Sequence, residues 1–278
     1  MELKRTLPPS RSLEQVTNHY LVEKAIAERL KASNWEERKR IYSTMYDELF
    51  AKVPDHPRLT RRESLDLSSK TTKVKLASVS KFLTPTSHFL EFAPGDCRFV
   101  KEVAQHVEKA IGVDISDQQN PEDGTPDNFE LIVYDGYNLD TVADESIDLV
   151  FSDQLIEHFH PDDTKQHFQL VHRILRPGGR YIFRTPHSLT GPHDVSRYFS
   201  DEPQCFHLKE WTYAEIKTLI QELKFSSVTT HWNGKGIDFR LPYLYFSLCE
   251  QVLGTVPKRY VREAAKYFIP SLTCIVEK

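Results

Sequence analysis

The sequence has no apolar run near the ~20 residues that cross a bilayer, so no membrane span is expected. Its start, Met1 to Ser12, is polar, carries Pro8 and Pro9, and lacks the apolar stretch of a secretory leader. Only four cysteines occur among 278 residues, at 97, 205, 249 and 274, and none forms a CxxC pair. They show no metal-ligand spacing, so no metal is expected, and reduced thiols in a cytoplasmic protein are the simplest expectation. An excess of one charge is also missing. The formal net charge of -4 gives no global field to recruit nucleic acid or anionic lipid, and no nucleic-acid partner is expected. There is no G-x-G-x-x-G, no internal repeat and no low-complexity tract.

What is present changes texture along the chain. Apolar residues recur at three to four from Leu13 through Tyr20, Leu21 and Ala25, and again after Asn34 (Trp35, Ile41, Tyr42, Met45, Leu49, with Arg38 at the same spacing), predicting two helices. Pro54 and Pro57 end the second, and a further helix is expected over residues 72–83. After Pro85, short apolar runs alternate with helical patterns. Strands are expected at 88–92, 110–113, 129–134, 147–152, 180–184, 226–231 and 271–277. Helices are expected near Val100–Val107, over 162–175, over 211–223, and over 239–256 with an interruption at Pro242. The alternation predicts an α/β domain: a doubly wound, mostly parallel seven-stranded sheet, Rossmann-like, at 85–278, preceded by an N-terminal helical extension at 1–84. Residues 187–210, rich in His, Pro and Asp, read as a long loop of the kind that carries function.

The chemistry gathers at strand ends. The first strand ends at Glu91-Phe92, followed by Ala93-Pro94-Gly95-Asp96-Cys97 and a helix. Small residues in such a turn let the backbone approach a ligand, and the helix start offers free N–H groups. Asp114 ends the next strand, at a separation that suits a carboxylate accepting both hydroxyls of a ribose. Ala93 and Cys97 stand where glycines would be expected.

Taken with three later segments, this turn resembles the class I S-adenosylmethionine-dependent methyltransferases. Glu91-Phe-Ala-Pro-Gly-Asp-Cys97 is similar to a degenerate form of that family's acidic-glycine motif, and Gly112-Val-Asp114-Ile-Ser to its second strand. Asp148-Leu-Val-Phe-Ser-Asp-Gln-Leu-Ile-Glu-His158 is similar to its fourth strand and the helix after it, and Leu175-Arg-Pro-Gly-Gly-Arg-Tyr-Ile-Phe183 to its turn into the fifth. The resemblance spans roughly 80–235. It implies an enzyme whose cofactor is S-adenosyl-L-methionine. It also implies that Glu91, Ala93 and Gly95 line the methionine and ribose side, with Asp114 and Ile115 at the ribose and Asp135-Gly136 near the adenine. Ser152, Asp153 and Gln154 would lie beside the sulfonium, with His158 packing close by.

Methyl transfer to oxygen or nitrogen needs alignment and, for many acceptors, a base. Among twelve histidines, His187 and His193 are the preferred base candidates, since both follow the fifth strand. Arg197 and Tyr198 are candidates for holding an anionic or sugar-like acceptor. Trp35, Tyr42, Tyr46 and Phe50 read as helix packing. Trp211, Trp232, Tyr243, Tyr245 and Phe246 could wall a pocket or fill a core. The expected acceptor is a small organic molecule: a natural product, a quinone-like precursor or a sugar derivative. A protein substrate, or a non-catalytic regulatory role on the same scaffold, are the alternatives. The N-terminal helices are expected to form a lid or acceptor wall, with homodimer contact as their other role.

Overall fold

The computed structural model describes residues 2–60, 65–119, 124–234 and 236–278. The N-terminal helices begin where the sequence supplies caps. Helix α1 (Leu13–Ala32) is capped by Ser12, whose hydroxyl accepts from the Gln15 N–H while the Gln15 side chain accepts from Ser12 N. Helix α2 (Trp35–Lys52) repeats the arrangement with Asn34 and Glu37. Each reciprocal pair satisfies two N–H groups that the helix leaves unpaired. A short turn of helix, α3 (Pro57–Thr60), and α4 (Leu65–Val79) follow.

Among the described residues the sheet has eight strands: β1 (His88–Phe92), β2 (Lys109–Asp114), β3 (Phe129–Val133), β4 (Ile147–Asp153), β5 (Leu175–Thr185), β6 (Ser227–Gly234), β7 (Ile237–Leu241) and β8 (Leu272–Glu277). Their order is β3-β2-β1-β4-β5-β8-β6-β7. The β1, β2, β3, β4 and β5 pairings are parallel, whereas β8 runs antiparallel to β5 and β6, and β7 antiparallel to β6. Helices α5 (Arg98–Ala104), α6 (Pro161–Ile174), α7 (Tyr213–Glu222), α8 (Tyr243–Gly254) and α9 (Lys258–Phe268) complete the fold. Period-two alternation along the strands feeds two cores. Phe183, with Leu90 and Phe92, packs on α6 and α7 through Phe168, Val171 and Ile216. Ile182, with Phe89, packs on α4 and α5 through Val79, Phe99 and Val103. Val79 therefore joins the sheet core, although it precedes the boundary expected at residue 84.

Three expectations need correction. The sheet has eight strands, not seven, because residues 237–241 form an edge strand where a helix is expected. Pro242 divides that run, sitting extended (φ -65°, ψ 147°) at the N-cap of α8. Helix α9 was not anticipated, although Val261, Ala265 and Ile269 bury one stripe at a spacing of four. Strict alternation also fails, since no helix occurs between β2 and β3 or between β3 and β4 among the described residues.

Reversal of connectivity at β1 and β4 opens a crevice beyond their carboxyl ends, where Phe92 pairs with Ser152. The N-terminal helices close over it. Ile26, Leu30, Met45 and Leu49 pack with Phe206 and Leu208 of the 187–210 loop, and Val16 and Tyr20 pack with Val195, Tyr198 and Cys205. A buried bidentate pair ties α2 to α6: Arg38 Nε and Nη2 donate to Asp163 at 2.8 and 2.7 Å. No helix among the described residues is long and apolar enough to cross a membrane.

Candidate functional site

The turn after β1 holds the backbone that glycines would give, without most of the glycines. Ala93, Gly95 and Cys97 have φ of 53°, 58° and 63°. Left-handed backbone costs an L-residue roughly 1–2 kcal/mol. Asp114 anchors the turn from β2: its carboxylate accepts from Gly95 N at 3.3 Å, Ile115 N at 2.7 Å and Ser116 N at 3.4 Å. Burial raises its pKa against those N–H groups.

Beyond these ends lies a cavity of about 250 Å³. Eight of the expected residues line it: Ala93, Gly95, Asp114, Ile115, Gly136, Asp153, Gln154 and His158. Gly95 and Gly136 have positive φ, and a Cβ on either would meet nothing within 4 Å. Three expected residues do not line it. Glu91 alternates to the opposite face of β1, where it is buried with Lys75 Nζ 3.9 Å away and its Oε2 unbonded. Burial pushes its carboxyl up to about 7, with Lys75 opposing. Asp135 turns outward to Lys39 (2.5 Å) and accepts the N–H groups of Tyr137 and Asn138. Ser152 is buried against the Tyr181 hydroxyl at 2.7 Å. Asp153 is clamped by Arg184 through two 2.7 Å bonds and does not cap a helix.

Sequence reasoning missed Tyr134, Tyr137, Phe159 and His167 in this cavity, and it assigned Tyr42 and Tyr46 to packing, although both line it. Tyr134 had a legible signal, as the residue that follows the third strand. The two α2 tyrosines needed the crossing of α2 over the sheet.

A second cavity, of about 820 Å³, adjoins the first. Tyr46, Arg58 and His158 line both. Its walls come from α1, the α2–α3 connection and the 187–210 loop, and they include His19, His56, His193, Asp194, Arg197, Tyr198 and His207. Arg197 and Tyr198, picked out from sequence, line this cavity. Of the aromatics that could wall a pocket or fill a core, Trp211 and Phe246 belong to the core, and Trp232, Tyr243 and Tyr245 pack against it.

Hydrogen bonds fix the state of each ring. His187 is fully buried; its Nδ1 accepts from Leu189 N, so Nε2–H donates to Glu250 at 2.8 Å. Both nitrogens are committed and the residue lines neither cavity, so the structure does not place His187 where a base is needed. His193 differs. Thr190 donates its hydroxyl to the His187 carbonyl and can only accept from His193 Nε2–H at 2.9 Å, which leaves Nδ1 of His193 with a lone pair. Burial lowers His193 to about 4, so the ring is neutral. His158 donates Nδ1–H to the Phe206 carbonyl at 3.0 Å, leaving Nε2 unprotonated; burial lowers it to about 3.

Residues 90–183 match the family description "Methyltransferase domain". No curated protein matches the chain by sequence. Among solved structures, the chain is similar to the complex between the Haloferax volcanii Trm112 methyltransferase activator and the putative methyltransferase (13% identity, 76% of this chain and 91% of that one, TM-score 0.54). It is similar to phosphoethanolamine N-methyltransferase 1 of Haemonchus contortus in complex with phosphoethanolamine and S-adenosylhomocysteine (16%, 88% and 50%, TM-score 0.55). A putative O-methyltransferase of Nostoc punctiforme also matches (16%, 95% and 69%, TM-score 0.52). At these identities the likeness concerns the fold. With the family match, the chain carries a class I methyltransferase domain. The solved structures that share this fold include S-adenosylmethionine-dependent methyltransferases.

Proposed function

We propose that the smaller cavity takes the cofactor and the larger takes a small organic acceptor, which is methylated on oxygen or nitrogen. The observation that carries this is the shared wall of Tyr46, Arg58 and His158 between two cavities of about 250 and 820 Å³. The larger volume lies within the range of small-molecule sites, roughly 300–1,000 Å³. The lining of the smaller cavity suits the chemistry of the cofactor. After accepting three N–H groups Asp114 keeps one lone pair, on Oδ2, for a ribose hydroxyl. The open space above Gly95 and Gly136 would be filled by any side chain there. Tyr134, Tyr137 and Phe159 offer apolar faces to a base ring.

When bound, S-adenosylmethionine supplies a methyl carbon already activated by a sulfonium. The protein's task is then alignment and proton removal. Tyr46 and Arg58 border both chambers and position the acceptor; the guanidinium lies 5.0 Å over the Tyr46 ring. α1 and α2 roof the crevice and exclude water. His193 Nδ1 receives the acceptor proton, while Thr190 holds the opposite nitrogen and so the tautomer. His193→Gln should lower kcat by about 10²–10⁴, with KM changed far less. The check is a steady-state assay of labelled methyl transfer across a panel of small hydroxyl and amine compounds. Labelling of polypeptide alone would contradict the small-acceptor assignment.

A further inference from the structure

Two clusters carry ligand atoms within 4.8 Å of one another: His19, Glu23 and His56, which line the larger cavity, and Glu157, His158 and His207, of which the two histidines line it and Glu157 lies buried behind them. Their hydrogen bonds separate them. In the first, Arg11 Nη1 donates to His19 Nδ1 at 2.8 Å and Arg58 N–H donates to His56 Nδ1 at 3.1 Å. Both rings therefore carry their proton on Nε2, and both Nε2 atoms face Glu23 Oε1, at 2.6 and 3.6 Å. A protonated nitrogen has no lone pair for a metal. This cluster is a carboxylate held between two imidazole N–H groups.

The second cluster has the opposite polarity. His158 Nδ1–H donates to the Phe206 carbonyl at 3.0 Å, and His207 Nδ1 bonds Glu210 Oε1 at 2.8 Å. Each bond holds a proton on Nδ1, so the neutral form of each ring has its lone pair on Nε2. A carbonyl or carboxylate behind the distal nitrogen is the support that metal-bound histidines have. Glu157 is fully buried, its Oε2 accepts from Thr185 at 2.8 Å, and its Oε1 has no hydrogen-bond partner. A buried carboxylate oxygen without a partner is costly. Neither ring is hydrogen-bonded to Glu157, so three donors converge on a gap instead of on one another.

We infer that Glu157, His158 and His207 bind a divalent transition-metal ion at the wall between the two cavities. Two imidazoles and one carboxylate suit zinc or a neighbouring first-row ion better than magnesium or calcium. Three protein ligands leave positions open toward the larger cavity. Its role there rests on the methyltransferase reading given above: an acceptor hydroxyl coordinated to the ion becomes more acidic. Its O–H bond breaks, the electron pair stays on the coordinated oxygen, and the proton passes to His193 Nδ1. Glu210 ties the two histidines together, since its Oε1 accepts both the His207 ring bond and His193 N–H at 2.7 Å. Acceptors bearing two adjacent oxygen donors would be favoured.

The test is titration of EDTA-treated full-length protein with Co²⁺, followed by visible absorbance, and with Zn²⁺ by calorimetry. One ion per chain is expected. Glu157→Gln, which keeps the shape and the Thr185 bond, and His207→Ala should each weaken binding at least ~100-fold, and Glu210→Gln by about 10–100-fold. His19→Ala should leave binding unchanged. Circular dichroism identifies any variant that fails to fold, and Glu157→Gln serves if His207→Ala does. Absence of binding by folded wild-type protein, or binding indifferent to Glu157→Gln, would overturn the site. Cofactor binding measured on the same samples separates the two claims. Metal without cofactor binding retains the site and removes its proposed role, whereas cofactor binding with no metal removes the site alone.

Discussion

At the scale of single residues, the site keeps a backbone whose usual side chains have been replaced. Ala93 and Cys97 adopt left-handed φ beside Gly95, so the turn survives as conformation although the glycine pattern has eroded. The buried carboxyl on the other face of β1 makes a separate prediction. Glu91 is pushed from its ordinary 4.5 up to about 7, chiefly by burial and against the pull of Lys75. Below pH 4.5 it is neutral in both folded and unfolded chains and contributes no pH-dependent loss. From there to about 7 the unfolded chain ionises while the folded one resists, so stability falls as pH rises and levels off above 7. The full loss is on the order of 3 kcal/mol. Glu91→Gln should therefore flatten the fall in denaturant-unfolding free energy between pH 4.5 and 7. The part due to Glu157, also raised to about 7, would remain. An unaltered slope would show that Glu91 ionises freely in the folded state.

Among elements, the decisive joint is α2 against the catalytic domain. Arg38 and Asp163 are both buried, and Asp163 also accepts the Tyr137 hydroxyl at 2.7 Å. Removing the guanidinium leaves a carboxylate buried beside a single hydroxyl. Arg38→Met should cost about 3–5 kcal/mol in unfolding experiments. Asp163→Asn added to it should restore part of that loss, and a strictly additive double variant would contradict a direct pair. This joint also marks a limit of the sequence. Most strands were legible because they are short runs ending at or just before Asp, Gly or Pro, and α1 and α2 because their caps and spacing agree. The crossing of α2 over the strand ends depends on one arginine meeting an aspartate far along the chain, which no local pattern displays. Hence Tyr42 and Tyr46 read as packing. The β7–α8 division was masked by a continuous apolar run, although Pro242 stood within it.

For the whole molecule, the picture is of two joined chambers roofed by the N-terminal helices and the 187–210 loop. Strand order sets where the smaller cavity lies: Ala93, Gly95, Gly136 and Gln154, which follow strands, line it, as do Asp114 and Asp153 at the last positions of β2 and β4, whereas Asp135 turns outward to Lys39. Residues within a strand obey its alternation instead, which carried Glu91 and Ser152 away from the cavity. The histidines were the least legible, because what distinguishes His193 from His187 is the hydrogen bond at the far nitrogen, a property of the folded loop. The central claim remains that Asp114 holds the cofactor ribose at the carboxyl end of β2. Calorimetric titration of wild-type protein and Asp114→Ala with S-adenosylmethionine addresses it most directly. A carboxylate accepting one ribose hydroxyl contributes about 1.5–3 kcal/mol, so the variant should lose at least ~10-fold in affinity while remaining folded. Equal affinities in the two proteins would contradict this account of the site.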